Sequence, residues 1–191
     1  MTNAFVIRRR GQAGFTLIEL AAVVLITAVL AAVGMTVFRK FLFSSKGGEA
    51  QSVIQAIRSA EESYLGENHV YLNVSSTGGS DARNGRNWYP QVTPSRTRSA
   101  WGGWASHPDI ANWTALAPPI NRTVQFSYLA NAGLAGQAVT VPVLTTKPTF
   151  PVPTQSWYMI QAEGDTDGDG VFANYASTSM TGAIYSEREG E

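Results

Sequence analysis

Three aspartates near the C terminus have the type and spacing of metal ligands. They are Asp165, Asp167 and Asp169, and a glycine occupies the sixth place of the segment that they begin. Carboxylates at this spacing with a glycine turn form the first half of a calcium loop, to which the Val171 carbonyl would add an oxygen. The twelfth place, where such loops carry a bidentate acid, is Ala176. The segment therefore predicts a weak calcium site or, alternatively, a polar hairpin turn.

Other residue types with catalytic potential form no recognisable constellation. The 191 residues include no cysteine, which excludes thiol catalysis, disulfide frameworks and thiolate metal sites. The two histidines, His69 and His107, stand far apart and belong to no motif. Basic and acidic residues number 14 each, so the composition gives no basic footprint for nucleic acid. We therefore expect a protein that is not an enzyme and does not bind nucleic acid directly, with calcium as the candidate cofactor.

Four tryptophans lie in the stretch 73–122, which is rich in Ser, Gly, Asn and Arg and has no sustained period. Exposed aromatic side chains are favoured contact residues, so a sugar- or surface-binding face is one interpretation. The other interpretation, which we favour, is that the indoles fix a long loop onto the rest of the fold. The residues concerned are Trp88, Trp101, Trp104 and Trp113.

A single acid interrupts a long apolar run near the N terminus. Residues 15–38 carry one charge, Glu19, and as a helix they would extend about 36 Å, enough to cross a bilayer. An acid in such a run costs roughly 2.5–3.5 kcal/mol on insertion scales, so Glu19 is expected to have a partner. Residues 1–14 carry three consecutive arginines and no acid, which predicts that this end faces the cytoplasm.

The junction between these two segments resembles the signal of a known family. Gly14 to Leu20, with the sequence GFTLIEL, matches the class III signal of type IV pilins, a family that includes the pseudopilins of type II secretion. The resemblance implies cleavage after Gly14 by a prepilin peptidase and N-methylation of Phe15. Cleavage would create a cationic amine on Phe15, with which Glu19 of a neighbouring subunit could pair. The similarity extends over residues 11–71.

The elements that would position these residues can be predicted from hydrophobic spacing. Apolar residues recur at intervals of three and four after Gly48, which predicts that one long helix runs from about 15 to 65 and bends at Gly34 or Gly47. The predicted apolar stripe consists of Ala50, Val53, Ile54, Ile57, Ala60 and Tyr64. Short strand-like runs separated by turn signals predict an antiparallel sheet, with strands at 123–130, 137–144, 156–163, 171–177 and 183–187.

We therefore expect an α+β, type IV pilin-like fold. Its long N-terminal helix would have a protruding hydrophobic half and an amphipathic half packed on the C-terminal antiparallel sheet. The expected organisation is a cleaved basic leader at 1–14, a hydrophobic transmembrane and assembly helix at 15–43, and a globular domain at 44–191 with the helix to about 66, an irregular loop at 73–122 and the sheet at 123–187.

The resemblance implies a structural subunit that forms a helical homopolymer. The precursor would sit in the inner membrane, be matured by the peptidase, and be assembled by inner-membrane machinery into an extracellular pilus serving motility, adhesion or DNA uptake. The alternatives are a pseudopilin of a periplasmic secretion pseudopilus and a membrane-anchored binding module that uses the tryptophans. Many pilins have a proline in the hydrophobic helix and a C-terminal disulfide; this chain has Thr36 near the former position and no cysteine, which leaves the class open.

Overall fold

The structure is a computed structural model that describes residues 14–78, 85–140, 142–146 and 148–189. Of the predicted leader, it describes Gly14 alone, and the three arginines lie outside the described residues. The chain divides into two compact units between Arg39 and Lys40.

Helix α1, Leu17–Asn68, begins in the first unit and ends in the second. Within the described residues, its stretch Leu17–Met35 is long and apolar enough to cross a membrane, judged by length and composition. The sequence favours a helix here because Ala and Leu are strong helix formers and no proline interrupts the run. The helix continues through Gly34 and Gly47.

In the second unit, α1 packs one face against the core. Ala50, Val53, Ile54, Ile57 and Ala60 are all buried, which confirms the predicted stripe, and Tyr64 packs against the same cluster while half-buried. Burying a large apolar side chain of this kind contributes about 1.5–3 kcal/mol. This stripe therefore holds the second half of α1 on the sheet.

Gly47 allows a close approach between α1 and the sheet. A Cβ added at this position would lie 2.5 Å from the hydroxyl oxygen of Tyr175, whereas one added at Gly48 would meet nothing within 4 Å. Tyr175 is fully buried, and its ring packs edge-on against Phe126 with 5.6 Å between centroids. The missing side chain of Gly47 thus makes room for a buried tyrosine.

The sheet of the second unit is antiparallel, which confirms the expected fold class. The elements after α1 are β1 Ser99–Ala100, α2 Ile110–Leu116, β2 Thr123–Val124, β3 Ser127–Gly133, β4 Trp157–Gly164, β5 Ala173–Thr178 and β6 Ile184–Glu187. The four strands of the sheet lie in the order β3-β4-β5-β6, and β1 and β2 form a separate two-stranded pair.

Two predicted elements differ from the structure. The run predicted as a strand at 137–144 forms no strand in its described residues, because Pro142 cannot donate to a ladder and both neighbours of β4 are already present. Leu144 packs instead beside Trp157 and Met159. The predicted strand 123–130 is divided between β2 and β3, and the supposedly irregular stretch 73–122 contains β1 and α2.

The outer edge of β3 is covered by two passing segments. At three alternate positions of this strand, backbone groups are bonded by residues from outside the sheet, partly through side-chain oxygens. The bonds are Tyr89 N to Tyr128 O (3.0 Å), Tyr128 N to Tyr89 O (2.6 Å), Ser75 N to Ala130 O (2.8 Å), Ala130 N to Ser75 Oγ (3.0 Å) and Ala132 N to Asn73 Oδ1 (3.1 Å).

Candidate functional site

The first turn of α1 is capped by a reciprocal pair of side chains. The backbone N–H and the hydroxyl of Thr16 both donate to Glu19 Oε2, each at 2.8 Å, and the Glu19 N–H donates to Thr16 Oγ1 at 3.3 Å. This arrangement is a capping box, and the spacing Thr-x-x-Glu is its sequence signature. This role of Thr16 was not predicted, although its signature is present in the sequence.

The capping box leaves part of Glu19 available. Its second oxygen, Oε1, receives no hydrogen bond from the described part of the chain. Phe15, at the preceding end of the helix, is 87% exposed, and a side chain added at Gly14 would meet nothing within 4 Å. The predicted processing and assembly residues are therefore accessible, and Glu19 retains an acceptor for a cation.

The first unit presents a long apolar surface. The exposed fractions of the large apolar side chains in its helix run from 54% at Val23 to 88% at Leu17. Soluble monomers rarely expose a contiguous apolar surface of this extent, and such surfaces mark contacts with membranes or other proteins. This part of α1 therefore requires lipid or neighbouring helices around it.

The structure brings the three predicted metal ligands together. One carboxylate oxygen from each of Asp165, Asp167 and Asp169 lies within 4.8 Å of the others, and their burial falls from buried to exposed in that order. The same carboxylates also fold the loop: Asp165 accepts backbone N–H groups of the two following glycines at 2.6 and 3.1 Å, and Asp169 accepts the Val171 N–H at 2.7 Å. Both glycines have φ near +87°, which favours glycine at these positions.

A lysine of α1 stands at the base of this acidic loop. Lys46 Nζ donates to the Thr166 carbonyl at 2.8 Å, and Gln125 Nε2 donates to the same oxygen at 3.2 Å. Burial and then the nearby Arg96 guanidinium lower the pKa of Lys46, while Asp167 raises it. A carboxylate oxygen has two lone pairs, so hydrogen-bonded carboxylates can still ligate a cation. The three carboxylates are therefore suitable ligands for a hard cation. The Lys46 ammonium group already lies beside the loop, and calcium binding stays a prediction.

Aromatic packing fixes the long loop to the core. Trp113 is buried and stacks on Tyr89 with 5.1 Å between ring centroids, and Trp101 packs edge-on against both rings at 5.2 and 4.9 Å. Trp88 is also buried, whereas Trp104 is 44% exposed. Three of the four indoles therefore follow the loop-fixing interpretation rather than forming a binding face.

His107 is a buried structural residue. Its Nδ1 accepts the Asp109 N–H at 3.1 Å, so Nε2 is assigned the proton, which it donates to the Trp88 carbonyl at 2.9 Å. With both ring nitrogens engaged by the backbone, His107 fixes the loop and has no geometry for proton transfer to a substrate. His69 directly follows α1 with φ +61°, a conformation common after a helix C terminus.

Glu61 is a buried acid whose role was not predicted from the sequence. It lies fully buried on α1, where Oε2 accepts the Leu72 N–H at 3.0 Å while Oε1 has no hydrogen bond within the described residues. Burial raises the pKa of Glu61 to about 7, with a further increase from Glu62 and an opposing effect of the Leu72 N–H. The signal was available, because position 61 follows Ile57 by four residues and so lies on the apolar stripe.

Comparisons with known proteins match the N-terminal part of the chain. Residues 9–35 match the family described as "Prokaryotic N-terminal methylation motif". The protein named "Type IV major pilin protein PilA" from Myxococcus xanthus is 40% identical over 63 residues, which cover 33% of this chain and 29% of that relative. The chain thus matches less than a third of the relative's length. No solved structure is significantly similar.

Proposed function

We propose that this type IV pilin-like chain is a structural subunit of a type IV pilus filament and not an enzyme. A prepilin peptidase would cleave it after Gly14, and the mature chain, beginning with N-methylated Phe15, would polymerise through the first part of α1. The observation that carries the proposal is the exposed apolar stretch Leu17–Met35 of α1, which lies within the matched methylation motif at residues 9–35. The name of the Myxococcus xanthus relative supports the pilus over other assemblies.

Glu19 would provide a driving force for assembly that the apolar side chains do not. Lipid tails are as apolar as leucine side chains, so moving the helix from the membrane into a filament core yields little hydrophobic free energy. A polar pair formed only in the filament can supply both the missing driving force and the register between helices. Each mature subunit would bring one acid and one new amine, Glu19 and the Phe15 N terminus, and pairing between neighbours neutralises both.

The capping box is compatible with this pairing. Thr16 occupies Oε2 of Glu19, so a neighbour's amine can approach Oε1 without breaking the cap. The cap also holds the carboxylate in one position at the start of the helix, which lowers the entropy lost on pairing. Thr16 would therefore prepare Glu19 for assembly rather than compete with it.

The alternative within this class is a pseudopilin of a periplasmic secretion pseudopilus, which would use the same leader and helix. The two are separated by deleting the encoding gene: loss of surface filaments supports the pilus, and loss of exported enzymes with filaments intact supports the pseudopilin. The membrane-anchored binding module receives no support from the tryptophans, because three of the four are packed within the fold.

The test combines processing with assembly. Mass spectrometry of the mature protein should find an N-terminal methylated Phe15, and a start at Met1 would refute the proposal. Glu19→Ala should be processed normally and inserted in the membrane but should give few filaments. Thr27→Ala is the matched control, because it also removes a polar side chain from the apolar run yet leaves the charge in place. Wild-type filament yield from Glu19→Ala would contradict the pairing.

A further inference from the structure

We propose that an apolar pocket beside the end of α1 receives the Trp104 side chain of a second copy of this chain in the filament. The inference rests on the proposed pilus function, because it concerns neighbouring subunits of one polymer. The pocket has a volume of about 470 Å³, which is within the range of pockets that enclose a small ligand. Its walls are formed by Tyr71, the segment 151–156, Ser179 and Met180.

The lining of this pocket suits an aromatic side chain. Two prolines, Val152 and the Tyr71 ring supply apolar surface, and the Met180 thioether adds a favourable contact for an aromatic ring. Val152 is 61% exposed, so this wall is open to solvent. Serine and threonine hydroxyls in the same lining can accept an indole N–H, which needs an acceptor when it is buried. The pocket therefore matches the indole of a tryptophan.

Trp104 is an exposed indole on a fixed turn. It is 44% exposed, more than any other Phe, Tyr or Trp side chain in the described residues after α1. The Gly102 N–H donates to the Tyr89 hydroxyl at 2.7 Å, and the His107 N–H donates to the Trp104 carbonyl at 3.0 Å. Tryptophan is enriched among the residues that dominate interfaces, and a side chain on a fixed turn loses little freedom on binding.

The exposed indole and the pocket lie at different levels along α1. The turn of the indole is joined to α1 through Arg122, whose carbonyl accepts the Trp101 N–H at 3.3 Å and whose guanidinium donates to Ser52 Oγ at 3.0 Å. The pocket is joined to α1 at Glu62, which accepts the Tyr71 hydroxyl at 3.2 Å. These levels are ten residues apart, about 15 Å along the helix. A neighbour displaced by this distance could therefore bring its indole to the pocket.

The charges beside the two surfaces are complementary. Arg122 beside the turn and Glu62 beside the pocket are both exposed, and neither forms an ion pair within the described part of the chain. Entry of the indole of one copy into the pocket of the next would bring these opposite charges to the same side of the contact. Charge complementarity of this kind favours one orientation of two partners over others.

The symmetry of the contact fits a filament. The two surfaces differ, so each subunit keeps one of them free for a further neighbour, and such a heterologous contact extends an open helical assembly. One aromatic side chain buries only about 150–250 Å², far less than the ~1,200 Å² of a stable interface. The contact therefore adds to the packing of α1 and is expected only in the assembled filament.

The experiment is cross-linking in purified filaments of the full chain. The chain has no cysteine, so an introduced pair reports one contact. Ala105→Cys places a thiol beside Trp104, and Thr154→Cys places one at the pocket, both at exposed positions. A short bismaleimide should join neighbouring subunits of this double variant into a ladder of dimers and larger species. Each single variant should remain monomeric on a denaturing gel.

Three variants test the specificity of the contact. In the double-cysteine background, Trp104→Ala should still assemble but should lower the yield of cross-linked species about fivefold, equivalent to ~1 kcal/mol. Gln155→Trp, which adds an indole at the pocket itself, should lower the yield by a similar factor. The matched control moves the second thiol to Thr93→Cys, which is exposed and lies beside Glu163 and Phe172 at the opposite end of β4 and β5. This control should give no ladder.

Several outcomes would overturn the inference. It fails if filaments of the double variant give no ladder, or if the ladder is unchanged by Trp104→Ala. A ladder of equal yield from the Thr93→Cys control would also overturn it, because the thiols would then report crowding alone. Filaments are present in all these cases, so the proposed pilus function stands. If the wild-type chain forms no filaments, the proposed function fails and this inference fails with it.

Discussion

Replacing Glu61 by glutamine should abolish a pH dependence of stability that this one acid creates. In the folded chain Glu61 is fully buried and its pKa is raised from the ordinary 4.5 to about 7, first by burial and then by the neighbouring Glu62. Between these pH values the folded state keeps a proton that the unfolded state has lost. The free energy of unfolding therefore falls as pH rises from 4.5 to 7 and is constant, for this group, above 7.

The size of the effect follows from the pKa. At ~1.4 kcal/mol per pH unit, raising the pKa of Glu61 from 4.5 to about 7 destabilises the folded state by about 3 kcal/mol at neutral and higher pH. Glutamine does not ionise, and its oxygen can still accept the Leu72 N–H. The free energy of unfolding of Glu61→Gln should therefore rise by up to about 3 kcal/mol relative to that of the wild type as pH increases from 4.5 to 7.5. Any difference between the amide and the protonated acid that does not depend on pH only offsets the two curves.

The assay is urea unfolding at several pH values. It can use a fragment covering Lys40–Glu191, because this unit contains every residue of both hydrophobic clusters and is therefore expected to fold alone. Glu62→Gln is the control: this neighbour is exposed, and its replacement should leave most of the pH dependence in place. Parallel stability curves for Glu61→Gln and the wild type from pH 5 to 8 would refute the reasoning.

Three further predictions concern the adjacent glycines Gly47 and Gly48 of α1, the acidic loop and the leader. Gly47→Ala should destabilise the fragment by ~1–2 kcal/mol, because strain against Tyr175 exceeds the gain in helix propensity. Gly48→Ala should stabilise it by ~1 kcal/mol, because the added methyl group meets no other atom. Equal shifts of the two variants in urea unfolding would contradict this. Millimolar calcium should raise the Tm of the fragment more than magnesium does, and Asp167→Ala should remove the effect; a constant Tm would leave an ordinary polar turn. Gly14→Val should block leader removal, giving a larger precursor on a gel, and normal maturation would place the cleavage elsewhere.

Features set by local spacing could be predicted from the sequence. The long helix, its buried stripe and the antiparallel sheet follow from periodicity, because a 3.6-residue or 2-residue repeat decides which side chains share a face. The juxtaposition of Asp165, Asp167 and Asp169 likewise depends on residues within one turn. The capping box formed by Thr16 and Glu19 could have been predicted in the same way, because its two residues are three positions apart.

Features set by distant pairing could not be predicted. The run 137–144 has the alternation of a strand, but which runs pair in the sheet depends on strand order, and that order is not a local property. Lys46 meets the carbonyl of Thr166 from 120 positions away, so the cation beside the acidic loop carries no sequence signal. The position of Glu61 on the apolar stripe could be predicted from spacing. Its hydrogen bond from the Leu72 N–H could not, because that bond depends on how the chain turns back along the helix after α1 ends.

The covered edge of β3 has a consequence for how copies of this chain can associate. An open strand edge is a template for another strand, and proteins at high local concentration are prone to uncontrolled sheet growth through it. Here Ser75 and Asn73 use side-chain oxygens to occupy the amides of β3, so a passing loop closes the edge without itself becoming a strand that could be extended. Because this edge is closed, crowding of the globular units would favour contact through α1 over amyloid-like stacking at β3. Ser75→Ala removes the acceptor for one of these amides. In the Lys40–Glu191 fragment it should therefore increase thioflavin-positive aggregation while the helix content of the folded fragment is still unchanged.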